Sequence, residues 1–190
     1  MSDHVDGAPE VASNARLLAM PLLLFAAVSL TLSYLAFRAH DAPFRPPFFH
    51  LFFSNILHMK AWLTTGAAVL GVVQLVTALR IYEKLRFPPA ARFYSLMHRW
   101  SGRTAVLMTL PEGYHCILKL GFATYDARAA IHSILGAAFY GALVAKIFIV
   151  RSSGYPGWAL PWAGATLLAI LTALWLTSAL WLFSAMGVGL

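Results

Sequence analysis

A chain of 190 residues that is 60% hydrophobic and only 11% charged cannot cover a water-facing surface, because soluble domains carry about 25% charged residues. That composition excludes an ordinary soluble enzyme, and the net charge of +7 reads as loop charge that sets membrane topology rather than as a nucleic-acid surface. The single cysteine, Cys116, excludes an internal disulfide, a Cys-rich iron–sulfur or zinc site, and a covalent haem attached through C-x-x-C-H.

Apolar stretches follow one another near residues 17–37, 60–80, 101–120, 130–150 and 160–186. Each approaches the roughly 20 residues that cross a bilayer core. The expected fold is all-α, an integral membrane bundle of five transmembrane helices, with residues 1–15 as a polar tail and 16–190 as one domain. The first stretch is longer than the apolar core of a secretory signal, and its leader is acidic (Asp3, Asp6, Glu10), so it is expected to be a retained helix. The connection after it holds Pro43, Pro46 and Pro47 among aromatic residues, which suits a non-helical segment along the membrane interface. His40 and His50 lie here.

Helix two is expected to begin at Asn55-Ile-Leu-His58 and to run to about Arg80. Helix three starts near Tyr94 and carries His98, Arg99 and Arg103 at one end and Glu112 and His115 towards the other. Pro111 should kink it and free backbone groups there. Helix four starts near Asp126 and contains His132 and, one turn on, Gly136. The last helix has no histidine and no charge, so packing and lipid contact are its expected roles. With the N-terminus inside, nine basic residues (Arg16, Arg80, Lys84, Arg86, Arg92, Arg99, Arg103, Lys146, Arg151) fall on one side. Five (Arg38, Arg45, Lys60, Lys119, Arg128) fall on the other. The basic excess marks the first side as cytoplasmic, so the expected location is a bacterial inner membrane with the N-terminus inside and the lipid bilayer as solvent.

Ionisable side chains at membrane depth are costly and mark functional sites, and imidazole is the commonest axial ligand of haem iron. His58, His115 and His132 all fall on the outer side at similar depth. A macrocycle needs ligands from helices that are not packed together, since neighbours lie about 8–10 Å apart. Helices two and four of an up-and-down bundle satisfy this, so His58 and His132 are the favoured pair, with His115 as rival. Gly136 shares the face of His132 and leaves space for the macrocycle. Glu112, three residues before His115, shares its face and reads as a hydrogen-bonding partner or a proton route. His98 lies 17 residues from His115, about 25 Å along a helix. With Arg99 and Arg103 it is expected to contact haem propionates or a quinone headgroup. One haem b is expected, and a second remains open.

The segments His98-Arg-Trp-Ser-Gly-Arg, Leu110-Pro-Glu-Gly-Tyr-His-Cys116, His132-Ser-Ile-Leu-Gly136 and Pro156-Gly-Trp-Ala-Leu-Pro161 resemble an uncharacterised family of bacterial integral membrane proteins, over about Ile56–Phe183. That family implies no assigned activity. More distantly, His98-Arg-x-x-Gly102 followed by a later histidine on the same helix resembles the ferric-reductase-like and ascorbate-type transmembrane cytochromes b. This resemblance implies haem b, transmembrane electron transfer, and His115 and His132 as ligands. The last helix departs from it by lacking the histidine a two-haem member would supply. The expected function is a haem-b electron-transfer subunit linking a quinone pool to a redox partner at the outer face, within a larger redox complex. The alternative is a scaffold or assembly subunit without a cofactor of its own.

Overall fold

The computed structural model describes residues 8–41, 47–85 and 92–187. Among them are five long helices and no strand. α1 spans Ala8–His40 and α2 spans Ile56–Ile81. α3 spans Arg92–Gly113 and continues as a π-helical segment, Tyr114–Leu120. α4 spans Ala127–Arg151. α5 spans Ala159–Trp175, widens into a π-helical segment at Leu176–Leu180 and resumes as α6, Trp181–Met186.

Local chemistry explains the starts. Asn55 caps α2, its Oδ1 accepting the His58 N–H at 2.9 Å, and Asp126 caps α4, accepting the Ala129 N–H at 2.6 Å; each satisfies a donor that the helix leaves orphaned. α1 begins at Ala8, inside the segment the sequence assigns to the polar tail. The aromatic connection is non-helical at 47–50; its residues 42–46 lie outside the described residues.

Among the described residues, four helical segments are long and apolar enough to cross a membrane: Leu17–His40, Ile56–Ile81, Ala127–Arg151 and Ala159–Ala185. α3 is the helix that falls short, because Arg92, His98, Arg99, Arg103 and Glu112 interrupt its apolar residues. The helices form a ring. α1 packs on α4, α4 on α5, α5 on α2 and α2 on α3, and the π segment of α3 closes back on α1. α2 and α3 reach α4 through side chains, as where Tyr140 of α4 donates to the Thr109 carbonyl of α3.

Two glycines permit the tight closures. A Cβ at Gly141 of α4 would run into the Ser29 hydroxyl and the Phe25 carbonyl of α1. Gly121 has φ +77° and lies against the backbone of Ala36 and His40, where the next residue, Phe122, donates its N–H to the Ala36 carbonyl at 2.9 Å. Ala67, Phe139, Leu171 and Leu174 form the core where α2, α4 and α5 meet. Outward-facing residues such as Leu22, Leu23, Leu30 and Trp162 are exposed, the pattern expected of a lipid-facing surface.

Candidate functional site: a cavity at the histidine-rich end

His40, His50, His58, His115 and His132 all lie at the end of the ring formed by the C-termini of α1 and α3 and the N-termini of α2 and α4. A cavity of about 460 Å³ opens there, within the roughly 300–1,000 Å³ of small-molecule sites. His132, Gly136 and Arg128 of α4, Lys60 of α2, Cys116 of the α3 π segment and Thr177 of the α5 extension line it. The remaining walls are largely alanine, leucine and isoleucine, with His40 and Tyr125 at the chain connections.

His132 lines this space from the first turns of α4. Its Nδ1 lies 3.0 Å from Thr177 Oγ1. Thr177 Oγ1 donates to the Ala173 carbonyl at 2.7 Å, so its lone pairs are directed to the imidazole and favour the tautomer with a proton on Nδ1. Nε2 then keeps its lone pair and has no hydrogen-bond partner among the described residues. One turn along, a Cβ at Gly136 would meet nothing within 4 Å. The space expected beside His132 is present.

The π segment of α5 matters here. π-helical winding displaces carbonyls from the usual pattern, and the Thr177 carbonyl accepts from Arg128 Nη1 at 2.8 Å. The Arg128 guanidinium also pairs with Asp126 at 3.4 Å and stacks over the Trp181 ring, 3.8 Å from its centroid. The last helix therefore does more than pack. It orients His132 and Arg128, a role that an uncharged apolar run does not announce.

The other predicted residues are distributed differently. His58 does not line the cavity; its Nδ1 lies 2.6 Å from Ser54 Oγ, in the turn that Asn55 caps. His58 and His132 are thus not brought together, because the first turn of α2 holds His58 against its own cap. His115 is fully buried. Its Nδ1 lies 2.7 Å from the Pro111 carbonyl, one turn back on the same helix, and its Nε2 accepts the Phe49 N–H at 3.4 Å. Phe48 and Phe49 pack on its ring, with centroids at 5.8 and 4.6 Å, and Tyr114 donates to the Pro47 carbonyl at 2.9 Å. His115 thereby anchors the aromatic connection to α3.

Glu112 and His115 take different partners: His115 holds the 47–49 segment, while Glu112 meets α2, where Thr64 donates to its Oε2 at 2.5 Å. Its Oε1 is buried with no partner among the described residues. It faces a second cavity of about 50 Å³, which shares Cys116, Ile117, His132 and Gly136 with the large one. That is room for a water, which such a buried acceptor needs. Lys60 lies beside Cys116 and near Glu112. The sequence does not mark Lys60, Cys116 or Thr177 as site residues; the first two are single polar residues near helix ends, and Thr177 lies in an uncharged apolar run.

At the opposite end, His98, Arg99 and Arg103 do not converge. His98 faces α2, with Nδ1 2.8 Å from Thr77 Oγ1, while Arg99 and Arg103 are exposed on the far side of α3. Among the described residues, no three or more His, Cys, Asp or Glu side chains gather as a metal-ion site. Haem needs fewer protein ligands, one or two axial imidazoles.

Comparison with known families matches residues 18–190, from within α1 to the C-terminus. The chain belongs to the family of unknown function DUF6529. The DUF6529 match takes in every residue of the cavity and of the α2–α3 seam. No curated protein and no solved structure matched the chain.

Proposed function

We propose that this DUF6529 protein is a membrane subunit that binds haem b in the cavity at its histidine-rich end and passes electrons between a quinone pool and a redox partner, within a larger complex. The observation that carries the reading is His132: a half-buried imidazole lining a large, mostly apolar cavity, its Nδ1 oriented by Thr177, its Nε2 without a hydrogen-bond partner among the described residues, and an open glycine one turn away. A hydrogen bond to the non-ligating nitrogen is what orients a metal-bound histidine. The distant resemblance to transmembrane cytochromes b points the same way.

The residues present fit such a group. His132 would hold the iron, Gly136 leaves the macrocycle room, and Lys60 and Arg128 are cations among the apolar walls, suited to propionate carboxylates. Bound there, haem b would supply one-electron transfer. The chain's own contribution is to orient the imidazole through Thr177, to exclude water with the alanine and leucine walls, and to hold polar groups (Glu112, Cys116) behind the site. We further propose that α3 crosses the bilayer as a fifth span, its polar residues tolerated because one face packs on α2, and that the membrane is a bacterial inner membrane with the N-terminus inside.

A second reading, a scaffold subunit without a cofactor, is favoured by one observation. His58, His98 and His115 each have hydrogen bonds within the chain and need no ligand to explain them. A reduced-minus-oxidised spectrum of protein expressed with ample haem separates the two. Soret and alpha bands are expected, and their absence would leave the scaffold reading standing.

A further inference from the structure

α3 meets the rest of the ring along one stripe. Tyr94, His98, Ser101, Met108 and Glu112 face α2: the Arg80 guanidinium lies 5.3 Å from the Tyr94 ring centroid, the Gln74 amide donates to the His98 carbonyl and to Ser101 Oγ, and Met108 packs at Gly66. The opposite stripe, at the same three- and four-residue spacing, is Arg92, Leu96, Arg99, Arg103, Leu107 and Leu110. Every one of these is exposed.

Depth makes the arginines informative. The 22 residues of α3 and the 7 of its π segment extend about 43 Å at 1.5 Å per residue, close to the roughly 40–45 Å of a bilayer with its headgroups. Arg99 and Arg103 lie about 10 and 16 Å from the start of the helix, so both backbones sit past the roughly 30 Å hydrocarbon boundary. A guanidinium there must reach back to the interface or find an anion. Arg103 does reach back: its guanidinium lies over the ring of Trp100, 5.0 Å from the centroid and one turn nearer the end of the helix. No carboxylate among the described residues pairs with it. The ion pair found among the described residues is Arg128–Asp126, at the other end of the bundle.

We propose that the outer stripe of α3 binds the phosphate headgroup of an anionic phospholipid, held by Arg99 and Arg103 with Arg92 at the headgroup level. The acyl chains run over Leu96, Leu107 and Leu110, and Trp100 sits at the interface as aromatic side chains do. Charge decides the occupant. A second copy would set two cationic stripes against each other, and a zwitterionic lipid would bring its own ammonium group to three arginines. Basic residues near an anionic surface contribute on the order of a fivefold preference each.

The test counts lipids retained by the full chain, released from nanodiscs of phosphatidylcholine mixed with phosphatidylglycerol and analysed by native mass spectrometry. Wild type is expected to retain phosphatidylglycerol above its share of the mixture. Arg103→Gln should weaken that enrichment roughly fivefold, and the Arg99→Gln/Arg103→Gln double variant should abolish it. Arg103→Lys, which keeps the charge and is the variant to use if the glutamine forms fold poorly, should keep most of it. Arg151→Gln, on α4, should leave it unchanged. No enrichment in wild type, equal enrichment in the double variant, or loss with Arg151→Gln alone would each overturn the proposal. So would a protein chain that co-purifies in place of lipid and is lost in the double variant.

Discussion

His132 and Thr177 lie 45 positions apart and make one unit. His132→Ala is expected to abolish haem binding, read as loss of the Soret band at unchanged protein yield. Thr177→Val removes the acceptor on Nδ1 and leaves the ring free to turn, so haem affinity should fall roughly 10- to 100-fold, measurable by haem titration. His58 and His115 differ from His132 because their nitrogens are engaged within the chain. His58→Ala and His115→Ala should each keep the haem, with His115→Ala loosening the Phe48–Phe49 connection and lowering thermal stability. Loss of haem in His58→Ala with retention in His132→Ala would move the site to the α2 cap and overturn the assignment. Glycines carry the same kind of distinction. Gly136→Ala meets no neighbouring atom and should fold normally, whereas Gly141→Val must displace Ser29 and the α1 backbone and should cost about 1–3 kcal/mol or more, seen as a lower unfolding midpoint in detergent.

Seams between the helices rest on small residues and on polar pins. On α2 and α3, Gln74 donates to Ser101 Oγ at 2.7 Å and Thr77 meets His98 at 2.8 Å. On α3 and α4, Tyr140 donates to the Thr109 carbonyl at 2.7 Å. On α2 and the far end of α5, Trp175 donates to Thr65 Oγ1 at 3.0 Å. Interhelical hydrogen bonds in membranes average about 0.6 kcal/mol and reach about 1.7. Gln74→Leu should fall within that range in a denaturant titration in detergent, leaving the spectrum of the distant cavity unchanged. A spectral change would mean that the seam and the cavity are coupled. The two π segments explain why element boundaries were legible and facings were not. Asn55 and Asp126 advertise their caps, and Pro111 advertises a disturbance in α3, but the separate partners of Glu112 on α2 and of His115 on the 47–49 segment carry no local signal. Nothing in Leu176-Thr-Ser-Ala-Leu180 advertises the second widening.

At the level of the whole molecule, the sequence assigns nine basic residues to one side of the membrane and five to the other. A reporter fused to the C-terminus is expected to be active only outside the cytoplasm, and cytoplasmic activity would invert the orientation. Replacing Arg99 and Arg103 reduces that asymmetry to seven against five, so the double variant also needs this reporter before its lipid binding is interpreted.

Composition and hydropathy by themselves determined that the chain is helical and apolar and where its long helices lie, because these properties are sums over neighbouring residues. They overstated α3, whose charges lower its hydropathy below that of the four helices apolar enough to cross a membrane, while its packing on α2 keeps it in the ring. The candidate site was legible as a group of histidines at one end with Gly136 beside His132. Which of those histidines faces a cavity was decided only by the tertiary structure. It depends on how a ring closes through Gly121 and Gly141, on the winding of two π segments, and on partners as remote in sequence as Thr177, none of which a local pattern encodes.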